Sequence, residues 1–321
     1  MHRYRIPLAL TTLATAAALT LSACGGSDSS LLPSATAADA TPAMNRFLPV
    51  VREAAPGLPG YTVYRPVDLA AVGGTVPVLL WGNGACKTSN HQYWDVLGAI
   101  AARGFVVVAY GAADQVVIKE TNTVTPARMQ ASLDWVKNQA TSHAGYAQLD
   151  TGKIGVFGTS CGGLEALLAG ADSRVKAVGA LNTGFFAAGS AGSTSTGGYT
   201  VANVLDLKAP TLFVGGGPSD VAYAQTHSNY DAATVPVVLA ENPAGGHSGL
   251  WAGLRYTFAA VGDTTATGST VDYTITTQAI ETVVRWFDYT LNGVTAQGDH
   301  LLGTNCGLCQ VSGWTVQSRN F

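Results

Sequence analysis

Charge is what this chain has least of. Asp, Glu, Lys and Arg make up only 12% of it, the formal net charge is −3, and no run of Lys or Arg stands out. A nucleic-acid partner needs a basic face, so that class is excluded. Cysteine is scarce too, at five residues. Cys306-Gly307-Leu308-Cys309 has the spacing of half a zinc site, but no second ligand pair accompanies it, so no metal is expected. A thioredoxin-type site would open a helix, which this polar tail does not. No internal repeat is present. The apolar stretch Leu8 to Leu21 is shorter than the roughly 20 residues of a membrane-spanning helix.

Apolar residues are plentiful, at 47%. Strand-like runs fall at Val76 to Trp81, Phe105 to Tyr110, Ile154 to Phe157, Val175 to Leu181, Thr211 to Val214 and Val235 to Ala240. Most are continuous rather than alternating, as expected of strands buried on both faces of a parallel sheet. Tyr61 to Tyr64 adds an antiparallel strand. Helical spacing predicts helices over Tyr93 to Ala102, Thr125 to Gln139, Gly163 to Ala169, Val221 to Tyr230 and Thr276 to Leu291. This alternation argues for one α/β domain, residues 44–321, with a mostly parallel central sheet flanked by helices. Gly184 to Thr200 and Gly262 to Thr270 read as surface loops, the first bordering the mouth of a site. Neither suits a large helical lid.

The sharpest local signal is Gly158-Thr159-Ser160-Cys161-Gly162. In a chain with 38 glycines G-x-S-x-G is weak by itself. Here a strand precedes it and a helical pattern follows, the context of a nucleophile elbow. Such a turn holds the serine in a strained conformation with small neighbours, its hydroxyl exposed above the sheet. A serine hydroxyl is a poor nucleophile without an aligned base. His247, in a glycine-flanked loop after the last predicted strand, is the candidate; His91 is its rival. Asp220, at the end of Gly215-Gly216-Gly217-Pro218-Ser219-Asp220, is the candidate acid that orients the imidazole, and it also suits capping the next helix. Asp114, Asp231 and Glu241 are alternatives. Two backbone amides should stabilise an oxyanion: that of Cys161, and one from the loop Gly82-Asn83-Gly84-Ala85-Cys86, with Asn83, Gly84 and Ala85 all open. Cys86 and Cys161 both border Ser160, so they form a brace if their Cα atoms come within about 7 Å. Cys306 and Cys309 suit a small local disulfide loop.

The order Ser160, Asp220, His247, the G-x-S-x-G elbow and the loop after Trp81 resemble the α/β-hydrolase superfamily, over roughly Tyr61 to Gly293. The resemblance is particularly to its dienelactone-hydrolase-like and bacterial cutinase-like, polyester-hydrolysing branches. That resemblance implies a serine esterase acting on small-molecule or polymeric esters through an acyl-enzyme, with no cofactor. Cys161, the Asn83 and Cys86 loop, and the tail after Leu291 depart from those branches. Peptide or thioester cleavage by the same three residues is the alternative chemistry, and a silent envelope binding protein on this fold is the alternative outside enzymes. Residues 1–23 read as an export signal with Arg3 and Arg5 ahead of the apolar stretch. Leu21-Ser22-Ala23-Cys24 resembles a lipobox, which implies lipidation of Cys24, with residues 24–43 a flexible tether and the protein anchored to a membrane of the cell envelope through that lipid alone.

Overall fold

A computed structural model of the protein describes residues 46–142, 144–263, 265–267 and 274–321. The export signal, Cys24, the tether and His143 lie outside the described residues. The elements run β1 (Val50–Ala54), β2 (Tyr61–Pro66), β3 (Val76–Gly82), α1 (Trp94–Ala101), β4 (Val106–Tyr110), α2 (Pro126–Ser142), β5 (Leu149–Thr159), α3 (Cys161–Ala169) and β6 (Val175–Leu181). They continue with α4 (Ala191–Ser195), β7 (Thr211–Gly215), α5 (Tyr223–Ala232), β8 (Val237–Glu241), α6 (Ile275–Asn292), α7 (Thr295–Gly298) and β9 (Thr315–Arg319).

Among the described residues nine strands form one sheet in the order β1-β2-β4-β3-β5-β6-β7-β8-β9. The six from β4 to β8 are parallel, while β1, β2 and β9 pair antiparallel at the two edges. Every residue of β3 and of β7 is buried, which explains their continuous apolar runs. Alternate side chains of β3 feed different layers. Leu79 and Trp81 pack with α1 and α6 on one face, and Val78 and Leu80 with α2, α3 and α5 on the other. In α6, Ile280, Val283, Val284, Trp286 and Phe287 are buried at helical spacing. Its first turn is capped by Thr274 Oγ1, and it stops at Gly293, whose left-handed φ of 70° a glycine adopts without strain.

The elbow sits where β3, β5 and α3 nearly touch. A Cβ on Gly158 would lie 2.4 Å from the Gly162 carbonyl oxygen, and one on Gly162 would lie 2.1 Å from the Gly82 carbonyl carbon. The motif's glycines are therefore a packing requirement, and they bring the head of α3 against the loop after β3.

Three features depart from the sequence reading. β5 starts at Leu149, five residues ahead of the expected Ile154, because its first part is half exposed and lacks apolar character. β1 and β9 have no counterpart in the apolar pattern of the sequence. Both are short, partly exposed edge strands with little to distinguish them from loops. The loop from Gly184 to Thr200 contains α4, one short helix whose first turn is capped by Ser190. The tail is no loose appendage either: Cys306, Leu308 and Trp314 are buried with α6, and Trp314 Nε1 donates to Gln278 Oε1 at 2.7 Å.

Candidate active site

Ser160 stands between β5 and α3 with φ 52° and ψ −124°, a strained conformation for a residue with a side chain. Its own backbone is held fast. The Ser160 amide donates to Leu181 O at 2.9 Å, and Thr183 Oγ1 donates to Ser160 O at 2.7 Å. His247 comes from the loop after β8, and its Nε2 lies 3.0 Å from Ser160 Oγ. Its Nδ1 lies 2.6 Å from Asp220 Oδ1. The three residues that the sequence puts forward thus form one unbroken hydrogen-bonded chain. Glycines allow the acid and base loops to meet: a Cβ on Gly216 would lie 1.7 Å from the Gly246 carbonyl oxygen.

Asp220 orients His247 but does not cap α5, whose N-cap is Ala222 with no side-chain cap hydrogen bond. Its Oδ1 accepts the Ala222 amide at 2.9 Å ahead of α5 as well as facing His247, and its Oδ2 accepts from Asn182 Nδ2 at 2.6 Å and the Gly216 amide at 3.2 Å. A carboxylate offers about four acceptor sites, so these amide contacts leave room for the bond to His247. Burial alone would raise its pKa. The hydrogen bonds from His247, the Ala222 amide and Asn182 outweigh that and hold it below the usual carboxylate range.

His91, the rival base, stacks edge-on against Trp94, and Glu241, an alternative acid, pairs with His227 at 3.0 Å.

Asn83, Gly84 and Ala85 have different surroundings. The Asn83 side chain is buried, its Oδ1 accepting from Trp81 Nε1 and its Nδ2 donating to Lys87 O and Tyr110 O. The Gly84 amide donates to Tyr93 Oη at 3.2 Å. Ala85 is left-handed at φ 52°, borders the clefts on both sides of Ser160, and its amide takes no partner among the described residues. The Cys161 amide at the head of α3 is likewise without a partner among the described residues. Cys86 and Cys161 form a disulfide with Cα atoms 5.2 Å apart, which ties this loop to α3. Cys306 and Cys309 form the second disulfide.

Two clefts open at Ser160 and His247. One, of about 280 Å³, is walled by Val124, Leu164, Phe186 and Val221, with Ser195 and Thr196 from the loop around α4. The other, of about 310 Å³, is walled by Lys87, Gln92, Tyr93, Ser248 and Trp251.

In the sequence Glu165 has the look of an ordinary helix-surface charge. It is buried beneath the disulfide, with Oε1 accepting the Thr125 amide at 2.9 Å and lying 3.5 Å from Cys86 Sγ and 3.6 Å from Arg128 Nη1. Burial pushes it up to about 7, against the Thr125 amide and the Arg128 charge. A carboxyl raised on folding favours the folded state below its ordinary pKa, and that contribution is lost as pH rises through about 7. Glu165→Gln keeps the acceptor for Thr125 and is expected to remove this slope. Urea denaturation should then find the variant equal to wild type near pH 5 and more stable by roughly 2 kcal/mol near pH 8. Identical pH dependences would refute the assignment.

No protein-family profile matches the chain. It is 29% identical over 126 residues to the alpha/beta hydrolase xenA of Xenoacremonium sinensis, covering 37% of this chain and 29% of that one. It is 31% identical over 127 residues to the hydrolase ffsE of Aspergillus flavipes, covering 37% and 28%. The match thus spans less than a third of the length of these curated relatives. With the mostly parallel sheet and its helices on both faces, these likenesses give the chain the α/β-hydrolase fold.

Proposed function

We propose that the protein is a serine esterase. The observation that carries this reading is the hydrogen-bonded chain Ser160–His247–Asp220 at the junction of two clefts. Ser160 Oγ attacks the ester carbonyl carbon as its proton passes to His247 Nε2, and Asp220 stabilises the imidazolium. The amides of Cys161 and Ala85 bind the oxyanion. The tetrahedral adduct collapses, His247 protonates the departing alkoxide, and an acyl group remains on Ser160. Water then gives a proton to His247 and its oxygen to the acyl carbon, and the acid leaves as Ser160 Oγ regains its proton.

A cleft on each side of Ser160 suits an ester with a group of some bulk on both sides of the scissile bond, small or part of a polymer. The test sets p-nitrophenyl esters of rising acyl length against the p-nitroanilides of the same acids. Turnover of the esters with little or none of the anilides is expected. Cleavage confined to the anilides would overturn the esterase reading in favour of a peptidase.

A further inference from the structure

We infer that Asn182 is a positioning residue for this chemistry, one that holds acid and base together through a single side chain; the inference rests on the esterase reading. Asn182 follows the last residue of β6, is fully buried and has a left-handed φ of 49°. Asn is among the few residues with a side chain that tolerate that conformation. Its amide joins three loops distant in sequence. Nδ2 donates to Asp220 Oδ2 at 2.6 Å and to Gly246 O at 2.9 Å, and Oδ1 accepts from Trp251 Nε1 at 2.7 Å. The orientation is fixed by chemistry. An indole N–H only donates, so it must face Oδ1, which leaves the NH₂ group for the carboxylate and the carbonyl.

The consequence falls on the base. Asp220 Oδ1 faces His247, and Asn182, with the longer bond from the Gly216 amide, holds the other oxygen against rotation of the carboxylate. The same NH₂ group holds the carbonyl of Gly246, the residue before His247. Asn182 thus sets both ends of the His247–Asp220 hydrogen bond. Trp251, one wall of the second cleft, locks Asn182 in turn.

Asn182→Asp preserves shape and backbone tolerance while replacing the donor by an acidic oxygen. With a proton shared between Asp220 and the new carboxyl, the donor is restored. As pH rises and that proton leaves, two like charges face each other and push Asp220 off His247. The kcat of N182D relative to wild type is therefore expected to fall at least about tenfold between about pH 5 and about pH 9, with KM steady. Asn182→Ala should lose on the order of tenfold to a hundredfold in kcat at every pH, as for a hydrogen bond to a charged group. Circular dichroism reports folding of each variant, and N182D decides alone if N182A does not fold. A flat N182D ratio across pH in a folded variant would overturn the inference while leaving the esterase reading intact. A wild type without ester turnover overturns the esterase reading, and this inference with it.

Discussion

Ser160→Ala is expected to lower ester turnover by about 10⁴- to 10⁶-fold, the loss seen when the nucleophile of such a triad is removed. What survives should come from substrate binding and oxyanion stabilisation alone. The fold should be untouched. Alanine keeps the Cβ, and the backbone bonds to Leu181 and Thr183 do not involve the hydroxyl. Chemical denaturation should place the variant within about 1 kcal/mol of wild type. Ser160→Gly, in contrast, should be both inactive and more stable by roughly 1 kcal/mol, because glycine releases the strain at φ 52°. A fully active S160A protein would remove Ser160 from the chemistry.

The second large effect is expected from the disulfide between Cys86 and Cys161. The bridge closes a separation of 75 residues, so its loss from a Cys86→Ser, Cys161→Ser double variant should cost about 4 kcal/mol by chain entropy. A kinetic loss comes with it. Ala85 and Cys86 are consecutive left-handed residues, at φ 52° and 44°, a conformation that costs energy and persists only under outside constraint. The constraints are the bridge itself, the Asn122 amide on Ala85 O, and Thr121 Oγ1 and Arg128 Nη1 on Cys86 O. Without the bridge the turn should relax and its amide leave the oxyanion position. A fall in kcat of about a hundred- to a thousandfold is expected, the scale for loss of one such donor. The bridge between Cys306 and Cys309 is the control. It closes a separation of only 3 residues, so its removal should cost under about 2 kcal/mol and leave kcat alone. Equal kinetic effects from the two pairs would contradict a specific role for Cys86–Cys161.

The parts of the site legible in the sequence are those where backbone packing restricts residue type. The crossing of β3, β5 and α3 admits only glycine at 82, 158 and 162, so the elbow appears as a motif. The acid and base loops leave a similar trace in Gly216 and Gly246. Parallel strands buried on both faces leave uninterrupted apolar runs, so the central sheet was readable too. What the sequence hides are features made by one side chain reaching across the fold. Asn182 looks like an ordinary turn residue after a strand, and its partners lie 38, 64 and 69 residues away. Glu165 follows Leu164 as any helix charge might, yet α3 buries it against the disulfide. The difference between Gly84 and Ala85 depends on where the Tyr93 hydroxyl falls, which no local pattern encodes. Edge strands β1 and β9 escaped for the opposite reason, since partial exposure removes the apolar signal.

The most direct measurement is reaction of the folded protein with a fluorophosphonate, followed by intact mass and peptide mapping. Such a probe is trapped only by a serine activated by a neighbouring base. The expected result is one adduct per chain on Ser160, with labelling much slowed in His247→Ala and ester turnover lost in step with adduct formation. A folded wild type that takes up no adduct, or carries it on a different residue, would contradict the assignment of Ser160, His247 and Asp220 as the reacting set.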